Sequence, residues 1–226
     1  FIRGFTGYQN LFLVDGIRLN NSIFRSGPNQ YWNTVDPMSV GRYEVIKGPS
    51  SALYGSDGIG GTVNSLTKTV TFNQTSGRLF TRGATAERSA ILRAELNVSN
   101  STDQGFLIGA TSKGFGDIET GQGTLNDSGY DEQTLDIKFS KQFSPDLAIT
   151  AAHFLVRQDE VPRTHKTING QSFAGSSIGS EIFRDQDQKR QLTYVKLDHT
   201  STESFYDAMS VTASFHQQDE FRDRLR

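Results

Sequence analysis

Apolar and polar residues alternate over long reaches of the later part of this chain. In residues 90–98, Ala90, Leu92, Ala94, Leu96 and Val98 are apolar, while Arg93, Glu95 and Asn97 fall between them. Phe106, Ile108 and Ala110 continue the alternation opposite Thr111 and Lys113. Leu135, Ile137 and Phe139 oppose Asp136, Lys138 and Ser140; Met209, Val211, Ala213 and Phe215 oppose Ser210, Thr212, Ser214 and His216. Period two with one apolar face predicts β-strands, about seven of them from residue 77 onward. Two stretches fit less well. Residues 147–156 are apolar on both phases, and the apolar phase slips between Tyr194 and Val195, which predicts a bulge.

The connections between these strands alternate in length. Residues 100–103, 144–146 and 200–204 read as short turns; residues 114–129 and 161–187 are long, polar and contain glycine. Short turns at one end and long loops at the other are the habit of an outer-membrane barrel, and a soluble sandwich has no reason to keep it.

The opening part has another texture. Residues 11–14 (Leu-Phe-Leu-Val) form a continuous apolar run, as in a strand buried on both faces. Asp15-Gly16 is a turn dipeptide, and Ile17 and Leu19 start a second short strand. Residues 20–37 are polar and turn-rich, with Phe24, Arg25, Tyr31 and Trp32 as their large side chains, and residues 37–41 suit one helical turn. Residues 43–46 read as a strand that breaks at Lys47-Gly48-Pro49. A small-residue segment at 50–53, the glycines Gly55, Gly58, Gly60 and Gly61, and a strand at 62–66 follow. Glycine at this density lets backbone approach backbone, and Pro49 donates no hydrogen bond.

Composition narrows the class. The 226 residues are 35% hydrophobic and 11% aromatic, with 22 glycines; mean hydropathy is -0.49. A barrel that shows lipid only every second residue has this composition. No run of about eighteen apolar residues exists to form a membrane helix, which does not bear on a barrel. The net charge of -2 gives no basic footprint for nucleic acid. Cysteine is absent, so disulfides and thiolate metal sites are excluded.

Three motifs stand in order within about seventy residues: I-R-G-F at 2–5, V-D-G-I-R at 14–18, and Y-E-V-I-K-G-P-S-S-A-L-Y-G from Tyr43. Together they resemble the plug domain of TonB-dependent outer-membrane receptors. The resemblance implies a mainly β protein: a partial plug, small and mixed α+β, followed by antiparallel strands of a truncated transmembrane β-barrel. The domains expected are the C-terminal half of a plug at 1–68, a linker at 69–76, and the N-terminal part of the barrel at 77–226. Phe1 already sits inside a plug motif, so a fragment without leader is expected, and one that does not fold stably in water.

The function implied is energy-coupled uptake of a large, scarce solute (ferric siderophore, haem, cobalamin or glycan). The implied partners are TonB, reached through an N-terminal segment absent from this chain, and the outer-membrane lipid. No cofactor, resident metal or covalent chemistry is implied. Arg3 and Lys47 flank apolar residues, so partial burial and pairing are expected. By resemblance they form a plug–barrel latch with glutamates beyond residue 226. The family carries Arg where this chain has Lys47, and an ammonium lacks the bidentate grip of a guanidinium. Gly4, Gly16, Gly48, Pro49, Tyr54, Gly55, Gly60 and Gly61 are expected to pack the plug loops. Tyr8, Gln9, Phe24, Arg25, Tyr31 and Trp32 are candidates for plug apices that face the ligand, against the plainer reading that they anchor loops.

Other chemistry finds little support. Gly55 to Gly61 lack the G-x-x-x-x-G-K-[ST] order of a phosphate loop. His153, His165, His199 and His216 have no metal-ligand spacing. Asp159, Glu160, Asp185 and Asp187 are more simply solvated loop acids than a calcium site, and Asp15 and Asp36 are explained by turns. Two other readings remain open: an outer-membrane adhesin or docking protein without transport, and a soluble β-sandwich carbohydrate binder.

Overall fold

The computed structural model describes residues 2–19, 28–172, 177–201 and 205–226, with side chains from residue 31 onward in the second of these segments. The chain divides into two compact units, Phe1–Thr69 and Val70–Arg226.

The first unit is a four-stranded mixed sheet in the order β2-β1-β4-β3. β1 (Asn10–Val14) turns through Asp15-Gly16 into β2 (Ile17–Arg18). β3 (Val40–Lys47), the short helix α1 (Ser51–Tyr54) and β4 (Gly61–Thr67) follow. β1 is flanked on both sides, antiparallel by β2 and parallel by β4, which is why its run is apolar throughout. Leu11 and Leu13 are 0% exposed, and Val14, Leu19, Tyr31 and Val35 complete an apolar centre. A 3-10 segment, Pro28–Thr34, brings Tyr31 and Trp32 onto that centre, with Trp32 4.8 Å from Phe12 between ring centroids. Residues 37–39 form a hydrogen-bonded turn instead of a helical one. The Asp36 carboxylate accepts from the Met38 N–H and its carbonyl from Ser39, so local side-chain bonding outcompetes helix.

The second unit is a seven-stranded antiparallel sheet in the order β13-β12-β11-β10-β7-β6-β5, with a separate hairpin of β8 and β9. Its strands are β5 (Ser76–Ala84), β6 (Ser89–Val98) and β7 (Gln104–Phe115). The hairpin strands β8 (Ile118–Thr120) and β9 (Gly123–Leu125) precede β10 (Tyr130–Ser144). β11 (Leu147–Pro162), β12 (Phe183–Thr200) and β13 (Ala208–Leu225) complete it. The stretch 70–75 is clasped to β6: Asn97 accepts from the Thr71 N–H and donates to the Thr71 and Gln74 carbonyls.

The predicted alternation is present, and its sense is inverted relative to a soluble protein. On β6, Arg93 is 2% exposed while Leu96 is 45% exposed; on β7, Lys113 is buried and Phe106 is 46% exposed. A sandwich in water would turn Leu92, Leu96, Phe106 and Ile108 inward, so the soluble sandwich reading fails here. A lipid-facing sheet gives the observed sense.

The apolar window also moves across the sheet. On β6 it covers Leu92 to Val98, about 20 Å of strand at ~3.3 Å per residue. Pairing through β7, β10, β11 and β12 sets Leu92 level with Asp219 and Val98 level with Ala213. The window on β13 is instead Met209 to Phe215, a drift of four residues over five strand pairs. With strands ~4.8 Å apart, a level apolar belt then requires strands tilted by roughly 30°, near the range for barrels.

Two local expectations are corrected. No bulge lies at Tyr194–Val195: pairing runs unbroken from Arg190 to His199 against both β11 and β13. The phase slips because Leu192 and Tyr194 join Phe154 and Val156 in an apolar patch on the otherwise polar face. The irregularity falls instead between Gln158 and Val161, where Glu160 takes φ 53° and its N–H donates to Asp187. The long loops are also shorter than predicted. β12 already begins at Phe183, and residues 116–129 contain the β8–β9 hairpin. Strand ends that are polar on both faces carry no hydrophobic period to read.

Candidate functional site

Two regions carry the groups that could act on a solute or a partner: the loops of the first unit and the polar face of the second.

In the first unit, I-R-G-F folds back on itself as a two-residue bridge, Ile2 with Phe5. That bridge lies against Gly60 and Gly61. A side chain on Gly60 would begin 2.5 Å from the Phe5 Cβ and the Asn10 Oδ1; one on Gly61 would begin 2.5 Å from the Ile46 carbonyl. Close approach is therefore the reason for these two glycines. The loop N–H groups are spent internally: Gly48 donates to Gly60, Gly60 to Gln9, and Ser50 to Gly58. Gly48 and Gly60 thus have no backbone donor left for a phosphate. Gly4, Gly16, Gly48 and Gly55 all have positive φ. Pro49 lies just before α1 and is exposed, and Tyr54 is the last residue of α1 and is half-buried.

Asp15 does more than turn the chain. Its carboxylate accepts from the Thr67 N–H at 2.8 Å and the Thr67 hydroxyl at 2.5 Å, tying the β1–β2 turn to the end of β4. Arg18 reaches the other way, to Asp57 at 2.5 Å and Ser56 at 3.2 Å, and pins the loop after α1. Sequence spacing signalled neither contact, because the partners are 52 and 39 residues apart in the chain.

Arg3 and Lys47 are both exposed, so the partial burial expected from their apolar neighbours is not found. Ile2 and Phe5 turn inward through the bridge, and Arg3, at φ 52°, is carried outward at its tip. The fold does bring the two motifs together. The Arg3 guanidinium lies 3.2 Å from where a side chain on Gly48, next to Lys47, would begin.

Of the aromatic candidates, Tyr8 is exposed, as is Gln9. Tyr31 is 1% exposed and serves as a loop anchor. Trp32 is half-buried between Phe12 and Tyr43. Phe24 and Arg25 lie outside the described residues.

The polar face of the second unit holds buried charge in pairs. Arg93 donates to Asp136 through both Nη atoms, at 2.8 and 3.1 Å, and also to Glu95 and Thr111. Gly109 is what makes room, since a side chain there would begin 2.1 Å from the Arg93 Nη2. One strand further along, Lys113 meets Glu132 at 2.6 Å, and Gln158 donates to the other Glu132 oxygen at 2.7 Å. The Lys138 ammonium lies 6.0 Å over the Phe154 ring. These groups sit mid-strand, where a soluble protein would place its apolar core.

The connections at one end of the sheet are laced to each other. Arg88 in the β5–β6 turn pairs with Glu119, Thr120 with Gln171, and Asn169 with Asp127. The Asp117 carboxylate accepts from the Ser128 and Gly129 N–H groups; those bonds, Ser128 first, outweigh its desolvation and hold it below the usual carboxylate range. His153 bonds Thr193 and His199 bonds Tyr206, which accounts for two of the four histidines.

With this geometry in hand, residues 1–62 match the model of the TonB-dependent receptor plug domain. The chain belongs to the TonB-dependent receptors. It is 33% identical over 159 residues to the vitamin B12 transporter BtuB of Vibrio vulnificus, an alignment that takes in 67% of this chain and 24% of that protein. Among solved structures it resembles the copper transporter OprC, with TM-score 0.73 and 16% identity over 98% of this chain and 31% of OprC. It resembles the ferric-catecholate import receptor Fiu of E. coli K12 with TM-score 0.71 and 14% identity, over 97% of this chain and 33% of Fiu. At those identities the two structures speak for the fold. The chain spans about a quarter of the length of the curated relative it matches.

Proposed function

We infer that this chain is the C-terminal half of the plug and seven wall strands of an outer-membrane receptor that takes up a large, scarce solute with energy delivered through TonB. The observation that carries this is the inverted sheet, with Arg93, Lys113, Glu132 and Asp136 buried on one face and Leu96, Phe106 and Phe215 bare on the other, in one chain with a plug fold. A sheet of that polarity is stable only with lipid against its apolar face. The likeness to a vitamin B12 transporter supports a cobalamin-sized or siderophore-sized solute.

In this reading Tyr8, Gln9 and the exposed edge of Trp32 contact solute, together with Phe24 and Arg25. Arg3 and Lys47 are the cations of a latch whose carboxylates lie elsewhere in the receptor, and exposure leaves both available for it. Gly60 and Gly61 keep the plug seated by close packing when its other end is pulled. The test is uptake of labelled cobalamin and ferric siderophores by cells carrying the full-length receptor, with and without a proton-motive force. Binding that persists with no energised uptake would instead make the protein a static docking receptor. Arg3→Glu combined with Lys47→Glu should loosen the plug and admit large antibiotics; unchanged permeability would remove the latch.

A further inference from the structure

Residues 70–75 lead into β5, and they do not run free. The second compact unit begins at Val70, ahead of its first strand. The Asn97 side-chain amide holds Thr71 by both backbone groups. It accepts from the Thr71 N–H at 2.9 Å and donates to the Thr71 carbonyl at 2.8 Å. It also donates to the Gln74 carbonyl at 2.7 Å. One side chain thus stands in for a neighbouring strand. Two residues further on, the Ser99 hydroxyl and the Ser101 carbonyl both accept from the Asn73 N–H, at 3.1 and 2.8 Å.

The wall is shaped for this segment. Asn97 and Ser99 are both buried. A side chain on Gly105 would begin 2.7 Å from the Ser99 Cβ and 2.7 Å from the Val70 Cγ1, so glycine is what lets Val70 close on the wall. Asn73 takes φ 53°, a left-handed conformation that asparagine tolerates. None of these bonds belongs to the strand ladder, because β5 pairs with β6 only from Ser76 onward. The sheet closes without residues 70–75, and their socket serves something besides pairing.

We propose that Asn97 is the anchor that keeps residues 70–75 on the wall while the plug is drawn out, so that the tether of a displaced plug ends at Thr69 and not at β5. Asn97 is a positioning residue in this role. Thr71 is the first clasped residue that a pull from the N-terminal side reaches, and it is the one held at both backbone groups. Freeing residues 71–75 would lengthen the tether by about 17 Å, at ~3.4 Å per residue. This rests on the transport reading for the pull itself, and the clasp can be measured without it.

The test pulls the full-length receptor out of a lipid bilayer by its N-terminus, one molecule at a time, and reads the length of chain released. In the unaltered receptor, plug extraction should stop at Thr69, and a separate later step should release about 17 Å more. In Asn97→Ala the separate step should vanish and its length should appear already in plug extraction. Gly105→Ala attacks the same clasp by wedging Val70 away and should act alike. Asn97→Asp keeps the acceptor for Thr71 and loses the donor, so its step should survive at lower force. Hydrogen exchange at the Thr71 amide should quicken about tenfold in Asn97→Ala, with the heat-modifiable barrel intact. An unaltered receptor without the separate step, or variants that release the same lengths as it does, overturns the proposal. Faster exchange with unchanged release lengths reduces Asn97 to a local structural bond and also overturns it. Uptake that ignores the proton-motive force would overturn the transport reading and leave the pulling result standing.

Discussion

The two units of this chain solve the burial problem in opposite ways. In the plug, Leu11, Leu13 and Val14 are hidden and the charges Arg3 and Lys47 are outside. In the wall, Arg93 and Glu132 are hidden and Leu96 and Phe106 are outside. One chain therefore folds for two solvents. The plug's apolar core is driven together by water; the wall's apolar face is matched to lipid, and its buried charges must satisfy one another. Side chains of the same chemistry thus have different consequences in the two units.

The largest expected effect comes from breaking a buried pair in the wall. Asp136→Leu removes the two-point acceptor of the buried Arg93 guanidinium, and should cost about 3–5 kcal/mol in unfolding of the full-length receptor. Adding Arg93→Leu should recover most of the loss. If the double variant is no better than the single, the wall is not limited by charge pairing.

A truncation pair measures the contrast directly. Leu13→Ala should cost about 3 kcal/mol in the plug, and Leu96→Ala, on the bare face, below about 1 kcal/mol in lipid. Similar values from urea titration in bilayers would mean that both faces see the same medium. A charge on the bare face comes next. Ile108→Arg should cost about 2 kcal/mol in a bilayer, and much less in a detergent that can adapt around it.

The smallest effect concerns the laced connections. Asp117 is held below its usual range, so its contribution is present above the ordinary carboxylate pKa and is lost as pH falls through the lowered value. Proteolysis within residues 116–129 should therefore rise only at strongly acidic pH, and Asp117→Asn should show the raised rate already at neutral pH. A rate that climbs near pH 6 would point to another group.

Much of this was legible in the chain. Period two gave the wall strands on β6, β7, β10 and β13, and the motifs at Arg3, Asp15-Gly16 and Lys47-Gly48 gave the plug. The misreadings have a common cause. Leu192 and Tyr194 looked like a bulge because a local pattern cannot tell an extra residue from a change of partner across the sheet. Arg3 and Lys47 looked half-buried because neighbours in sequence do not reveal which side of a bridge a side chain takes. The upper strands beyond the belt were invisible because residues 183–191 have no apolar phase.

What the sequence determined alone is the alternation, the turn chemistry and the family, since all three are properties of neighbours along the chain. The solvent each face meets was decided in three dimensions, as were the parallel β1–β4 pairing and the Arg93–Asp136 contact over Gly109. Each of these depends on residues distant in sequence, whose meeting is fixed by register and strand tilt and leaves no periodic trace.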